Sequence, residues 1–283
     1  MDVFIITLFS WHQAGTGKSP EMKTIFCCLA AISHMLLHPY FIFDGPDHPL
    51  FKEGRGCICA LPLLEQSFQG LLMAFGFSWH TAPGQAEAEL TYFHLHGLTN
   101  AVVSPCNSVL LFGATGVIRR YAGEYEDVKL YTLDAMELKW GDLLLIALMS
   151  SAKYDSGLPG CSMDIAHWVA LYMFGRTLVH ATSTYLFVEF MSFIAQWHKV
   201  LCWVLERDPQ HHLGQWHFEF TCIIEEECTQ FLDPTVLAAY LSPIMSWLEG
   251  HQLLVTVVTS CQPDLTALVA FFSQCLDWSM DTI

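Results

Sequence analysis

At 283 residues the chain is long enough to bury a large core, in one sizeable domain or two smaller ones. Hydrophobic residues make up 53% and charged residues 14%, and 12 Lys+Arg stand against 28 Asp+Glu for a net charge of −16; this excludes a generic DNA binder unless the few cations gather on one face, because nucleic-acid affinity comes largely from counterions released by Lys and Arg. The 11 cysteines show no paired zinc spacing: Cys27 and Cys28 sit in an apolar run and Cys57 and Cys59 are too close for an ordinary bridge, so reduced thiols of a cytosolic or nuclear protein are expected.

An apolar run at residues 3–9 reads as a strand, with no basic segment before it of the kind that starts a secretory signal. Residues 12–21, HQAGTGKSPE, raise the question of a phosphate-binding loop, with the apolar stretch ending in Asp44 as its magnesium-holding partner. That pattern needs a glycine five residues before Gly17, and His12 stands there. Ser19 is read instead as the N-cap, and Pro20 as the first turn, of a helix over residues 20–37. Residues 24–43 approach the ~20 apolar residues that cross a bilayer, but His34, His38, Pro39 and then Asp44 interrupt them, so a buried helix followed by a strand at residues 40–43 is expected and no membrane span. A polar, turn-rich connection at residues 44–55 leads to a helix at residues 61–75, a strand at 77–81, a helix at 85–96 and a strand at 101–104. Strands alternating with helices argue for an α/β fold with a parallel sheet covered on both faces, whose sites lie at the carboxyl ends of the strands. From Asp142 the pattern becomes helical: a helix at residues 143–150, a tight turn at 157–160, a helix at 162–174 and helical stretches to about residue 206. From Pro209 no assignment is made, and no internal repeat is present.

Four ordered segments and two tail stretches carry a resemblance: FIFDGPDHPLFK (residues 41–52), TAPGQAEAEL (81–90), AVVSPCNSVLLFG (101–113), LIALMSSAKYDSGLPG (145–160), and the tail at 231–246 and 262–278. Together they resemble the XPG-type structure-specific nucleases, which include flap endonucleases, the XPG repair nuclease and eukaryotic Holliday-junction resolvases; the tail is similar to fungal resolvase-like members. The resemblance implies a PIN-like nuclease core over residues 1–155, a helix-hairpin-helix region over 156–206 and a mostly helical C-terminal extension over 207–283.

It also implies a chemistry. Two Mg2+ ions ~4 Å apart clamp the scissile phosphate in such enzymes, and hard cations need several converging carboxylates. The family draws them from the first strand, the FDG aspartate, two Glu of EAEA, two Asp of EDSD and the Asp of GGDY. This sequence keeps Asp44 and Glu87. Gln85, Cys106 and Ser108 stand where three others fall, with Pro105 for the EDSD glutamate. Lys153 replaces the GGDY aspartate, with Ser151 and Ala152 for the glycines, and the first-strand position falls near Val3, beside Asp2. An ammonium at Lys153 would repel a divalent ion and act beside Asp44 and Glu87 as a built-in cation. The resemblance therefore implies a catalytically impaired member that binds Mg2+ weakly or not at all and acts by binding branched or flap DNA, against its net charge, or protein, in the nucleus or cytoplasm. The alternative is a working endonuclease whose reduced site uses Asp44, Glu87 and Asp155 or Glu89.

The DNA-holding parts are better kept. Gly157 and Gly160 match the hairpin whose backbone N–H groups would hold a phosphate, although Ser162 replaces the next glycine and Asp164 brings an acid near. Lys52 and Arg55 fall where the family steers phosphates, with Glu53 between them. His34, His38, His94 and His96 have no metal spacing, since residues two apart cannot share a helix face. Cys106 has no implied His or Asp partner as a nucleophile. The nine tryptophans read mainly as core, with Trp168 and Trp247 as candidate exposed contacts.

Overall fold

The computed structural model describes residues 3–7, 20–35, 37–47, 62–120, 128–150, 157–214, 217–226, 231–246 and 262–273. Asp2, residues 12–19, Lys52, Arg55, Lys153, Asp155 and Trp247 lie outside them. Six strands, β1 (Val3–Thr7), β2 (His38–Phe43), β3 (Ser78–Thr81), β4 (Ala101–Val103), β5 (Gly116–Arg120) and β6 (Val128–Thr132), form one sheet in the spatial order β3-β2-β1-β4-β5-β6. All neighbours are parallel except the β5–β6 pair, which is antiparallel. Ile5 stands opposite Tyr40 on one side and Val102 on the other, so the two strands expected at residues 40–43 and 101–104 flank a single central strand. The chain builds outward from β1 to β3, then returns to lay β4 on the far side of β1. Parallel sheets place a crevice at such a reversal, outside the carboxyl ends of the strands.

Parallel neighbours need crossovers, and these carry α1 (Pro20–Ser33), α2 (Pro62–Phe75) and α3 (Ala86–Leu95). Side chains alternate along a strand, and β2 shows both faces buried. Phe41 and Phe43 pack with Met22, Ile25, Phe68 and Leu72 of α1 and α2, while Ile42 packs with Ala86, Leu90 and Val102 on the side of α3. A continuous apolar strand is what a sheet covered on both faces requires. Late in the chain, α11 (Leu265–Phe271) adds Leu268 and the following Phe272 to the α1–α2 core.

A third core belongs to helices: α4 (Ser108–Leu111), α5 (Trp140–Ser150), α6 (Met163–Ala170), α7 (Phe174–Thr184), α8 (Phe187–Arg207), α9 (Phe218–Glu226) and α10 (Pro234–Leu241). Leu145, Leu148, Leu178, Leu201 and Leu205 are fully buried in it, each such side chain stabilising by roughly 1.5–3 kcal/mol. Where α5 crosses α7, a Cβ on Gly141 would lie 2.6 Å from the Gly175 carbonyl oxygen, so the two backbones touch and only glycine fits on either side.

The structure departs from the sequence reading at several places. The first helix stops at Ser33, and β2 begins at His38, since a residue before proline is pushed toward extended backbone. The expected helix at residues 162–174 ends at Ala170, and a turn in which Met173 takes a left-handed conformation at φ 64° separates it from α7. Strands β5 and β6 and helix α4 were not expected. The unassigned tail holds α9, α10 and α11, and α10 starts in ordinary fashion, with Asp233 as cap and Pro234 in the first turn.

Candidate active site

Asp44 follows β2 at the carboxyl edge of the sheet and is exposed. Its Oδ1 accepts the Ala86 backbone N–H at 2.8 Å, which caps the start of α3 from 42 residues away. Gln85 occupies the N-cap position itself and makes no side-chain cap bond. The turn after Asp44 is stitched to the segment before α3: Gly45 N–H donates to the Gly84 carbonyl (2.7 Å), Asp47 N–H to Pro83 (3.0 Å) and Ala82 N–H to Phe43 (2.9 Å). The two segments run so close that a Cβ on Gly45 would sit 1.8 Å from the Ala82 oxygen.

Gln85, Glu87 and Glu89 are all buried. Glu89 is fully enclosed and its oxygens are hydrogen-bonded: His80 Nε2 lies 3.3 Å from Oε1, and the Ser246 backbone N–H donates to Oε2 at 3.0 Å. Burial pushes the Glu89 carboxyl up, but the hydrogen bonds from His80 and Ser246 outweigh it and hold the group below its ordinary range. Glu65 of α2 reports the field of Asp44: burial first, then the nearby Asp44 charge, push its carboxyl up. The sequence reading did not connect these two acids, because α2 was placed only as a packing helix.

The turn after β4 carries Cys106 and Ser108, which the resemblance implies stand at carboxylate positions. Cys106 Sγ and Ser108 Oγ lie 2.7 Å apart and bond each other, and the Cys106 N–H donates to Ser104 Oγ (3.1 Å). Arg119 of β5 grips the same turn, its guanidinium donating to Asn107 Oδ1 and to the Pro105 carbonyl. A thiol and a hydroxyl that satisfy each other are neutral donors and acceptors, where a hard cation wants charged oxygen. Among the described residues no three His, Cys, Asp or Glu side chains are placed to hold a metal ion. Glu89, offered by the alternative reading as a third ligand, is therefore not assembled with Asp44 and Glu87. His94 bonds Thr115 Oγ1 (2.9 Å), and His96 bonds the Tyr92 carbonyl and stacks on its ring.

The expected hairpin lies between α5 and α6. Gly157 (φ 70°) and Gly160 (φ 79°) both take the left-handed conformation that favours glycine. Leu158 N–H donates to the Met149 carbonyl (2.8 Å) and Cys161 N–H to Leu158 (3.0 Å). Ser162 then caps α6 by accepting the Ile165 N–H at 3.3 Å. Burial pushes the Cys161 thiol up to about 11. Trp168 is half-buried and packs against the helical core, rather than standing out as an exposed contact.

The model of the XPG I-region matches residues 76–152, the stretch that holds α3, β4 and the Cys106–Ser108 turn. DNA repair protein rad13 of Schizosaccharomyces pombe (strain 972 / ATCC 24843) is 31% identical over 107 residues, which are 35% of this chain and 10% of that protein. The chain thus spans about a tenth of the curated relative it matches. The structure superimposes on the eukaryotic junction-resolving enzyme GEN-1 with cesium at a TM-score of 0.80, with 25% identity, over 98% of this chain and 67% of that one. GEN1 in complex with product DNA, Mg2+ and Mn2+ ions gives 0.76 at 25% identity, over 98% and 66%. The catalytic core of Rad2 gives 0.67 at 19%, over 99% and 88%, a likeness of fold. By the chemistry of their donors, the described residues of this chain do not fit a pair of divalent ions, and no step is derived through one.

Proposed function

Since the chain is a relative of the XPG-type structure-specific nucleases, sharing their I-region and their fold, we propose that it works as a DNA-binding member whose hydrolytic site is impaired. The observation that carries this reading is the set of residues at the family's carboxylate positions. Gln85, Cys106 and Ser108 are neutral, Lys153 is a cation, and Cys106 and Ser108 are hydrogen-bonded to each other. Asp44 supports the reading from the other side: in this structure it is the cap of α3, a role that needs no metal. In this reading residues 1–155 form the nuclease-like core, 156–206 the hairpin region and 207–283 an extension. Gly157 and Gly160 offer backbone N–H groups to a phosphate, Lys52 and Arg55 add charge, and the nucleus is the compartment implied. No helix among the described residues is long and apolar enough to cross a membrane.

The test is a binding and cleavage series with labelled four-way junction, 5′ flap and blunt duplex of equal length. The expected result is tighter binding of the branched DNAs by at least about tenfold, affinity that falls steeply with salt, and no cut strand with Mg2+ or Mn2+. Cutting that disappears in Asp44→Ala would overturn the impaired-site half of the proposal. Absence of binding to all three DNAs would overturn the DNA half and leave a protein as the partner.

A further inference from the structure

Three backbone segments meet at the candidate site. The turn at residues 44–47 lies against residues 82–84 through three hydrogen bonds, Gly45 to Gly84, Asp47 to Pro83 and Ala82 to Phe43. Residues 82–84 also meet a segment from much later in the chain: a Cβ on Gly84 would sit 2.7 Å from the Ile244 carbonyl oxygen. Two residues later the Ser246 N–H donates to Glu89 Oε2 at 3.0 Å, and the Ser246 hydroxyl also bonds this carboxylate. The segment is rooted at its other end. It follows directly on α10, whose Leu237 and Tyr240 are buried in the helical core, and Met245 packs on that core.

We infer that residues 242–246 are a brace for the candidate site, fixing the start of α3 from the helical side and thereby the position of the Asp44 cap. The physical reason is the burial of Glu89. A carboxylate with no exposed surface must have hydrogen-bond donors for its oxygens, because an unsatisfied buried charge is costly. His80 of β3 supplies one, and Ser246 supplies the rest from 157 positions away. Glu89 is thus a positioning residue, joining the sheet, the site helix and the helical unit at one carboxylate. Coupling of this kind is reciprocal: a ligand that orders the start of α3 tightens the brace, and a factor that lifts residues 242–246 loosens the site. The inference rests on this geometry and not on the proposed function, so it holds whichever partner the site takes.

Amide hydrogen exchange on the full chain tests it. Ser246→Pro removes the Ser246 N–H and hydroxyl donors, and Glu89→Gln keeps the shape of the side chain while replacing the charge and one acceptor oxygen with an amide NH2, so that His80 and Ser246 share a single neutral acceptor. Each variant is expected to speed exchange at residues 85–89 by at least about tenfold, the scale set by losing a hydrogen bond to a charged group. Protection in the middle of α5 should stay as it was. Because both changes act on the contacts of one carboxylate, the acceleration in the double variant should fall short of the two single effects combined. Unchanged exchange at residues 85–89 in Glu89→Gln would overturn the brace. So would equal acceleration in α5, which would mark Glu89 as a general stability residue. Should Ser246→Pro fail to fold, Glu89→Gln decides the matter alone.

Discussion

A methyl group on Gly45 would lie 1.8 Å from one carbonyl oxygen and 2.4 Å from the next, and both backbones are held in place by hydrogen bonds. Gly45→Ala is therefore expected to cost more than about 2 kcal/mol, the range of a strained or overpacked core site; a urea midpoint equal to the parent's would show that the two segments can slide apart. The Asp142–Arg176 pair gives an asymmetric prediction. Arg176 donates to both carboxylate oxygens at 2.7–3.0 Å, and the Lys139 N–H adds a bond to Oδ2. Asp142 is 1% exposed and Arg176 42%. Arg176→Ala strands a buried charge and should cost about 3 kcal/mol. Asp142→Ala leaves a guanidinium that can turn to water, so the cost should be nearer 1–2 kcal/mol. Denaturant unfolding of the two single variants checks the order, and a reversed order would mean that the pair's strength lies elsewhere. At Cys161 a thiol pushed up to about 11 by burial carries almost no thiolate at neutral pH. Alkylation of Cys161 in the folded protein should be negligible at pH 8 and should appear on unfolding, read by mass spectrometry.

At the scale of elements, α8 carries a pH dependence. His198 is buried in it, and burial holds its imidazole below the ordinary histidine value; burial does the same to His94 near the end of α3, against the raising effect of a Thr99 backbone hydrogen bond. The fold therefore favours the neutral ring. As pH falls through the unfolded value of about 6.5, the unfolded chain takes up protons first. Their stabilising contribution is fully present above that pH and is lost as pH falls from there through the lower folded values. Urea midpoints between pH 7.5 and 5 should fall, and His198→Phe should flatten the slope; a slope unaffected by this change would assign it to other groups. The same scale shows what could be read from sequence. The strands at β2 and β4 and the helix α3 were legible because each is an apolar run or a motif bounded by turn residues. β5 and β6 were not: both are short, and β6 is an edge strand whose Leu130 is exposed. The break between α6 and α7 has no glycine or proline to mark it. At the site, the reading of Gln85, Cys106, Ser108 and Lys153 as substituted positions comes from the resemblance, whereas the Glu89–Ser246 bond, the Glu65–Asp44 proximity and the grip of Arg119 on the 105–108 turn were not legible. Those depend on where distant elements meet, and no local pattern encodes that.

For the whole molecule, the two ends of the chain share one core. Leu268 and Phe272 pack among Met22, Ile25, Phe68 and Leu72, Phe26 meets Phe272 edge to face with ring centres 4.5 Å apart, and the Asp264 N–H donates to the Ala74 carbonyl at 2.8 Å. This closure has a consequence in the order of protein synthesis. Helices α1 and α2 leave the ribosome with one side of their core unfilled, and at ~5–20 residues per second they wait on the order of 10 s or more for α11 to be made. During that interval their phenylalanines have no partner from α11, a state that invites chaperone capture or premature proteolysis. A ribosome-stalled chain lacking residues beyond 264 should be cut within α1 and α2 by a dilute protease, while the same helices resist once residues 265–272 have emerged. Equal resistance at both stall points would show that the sheet and its first two helices close without the tail.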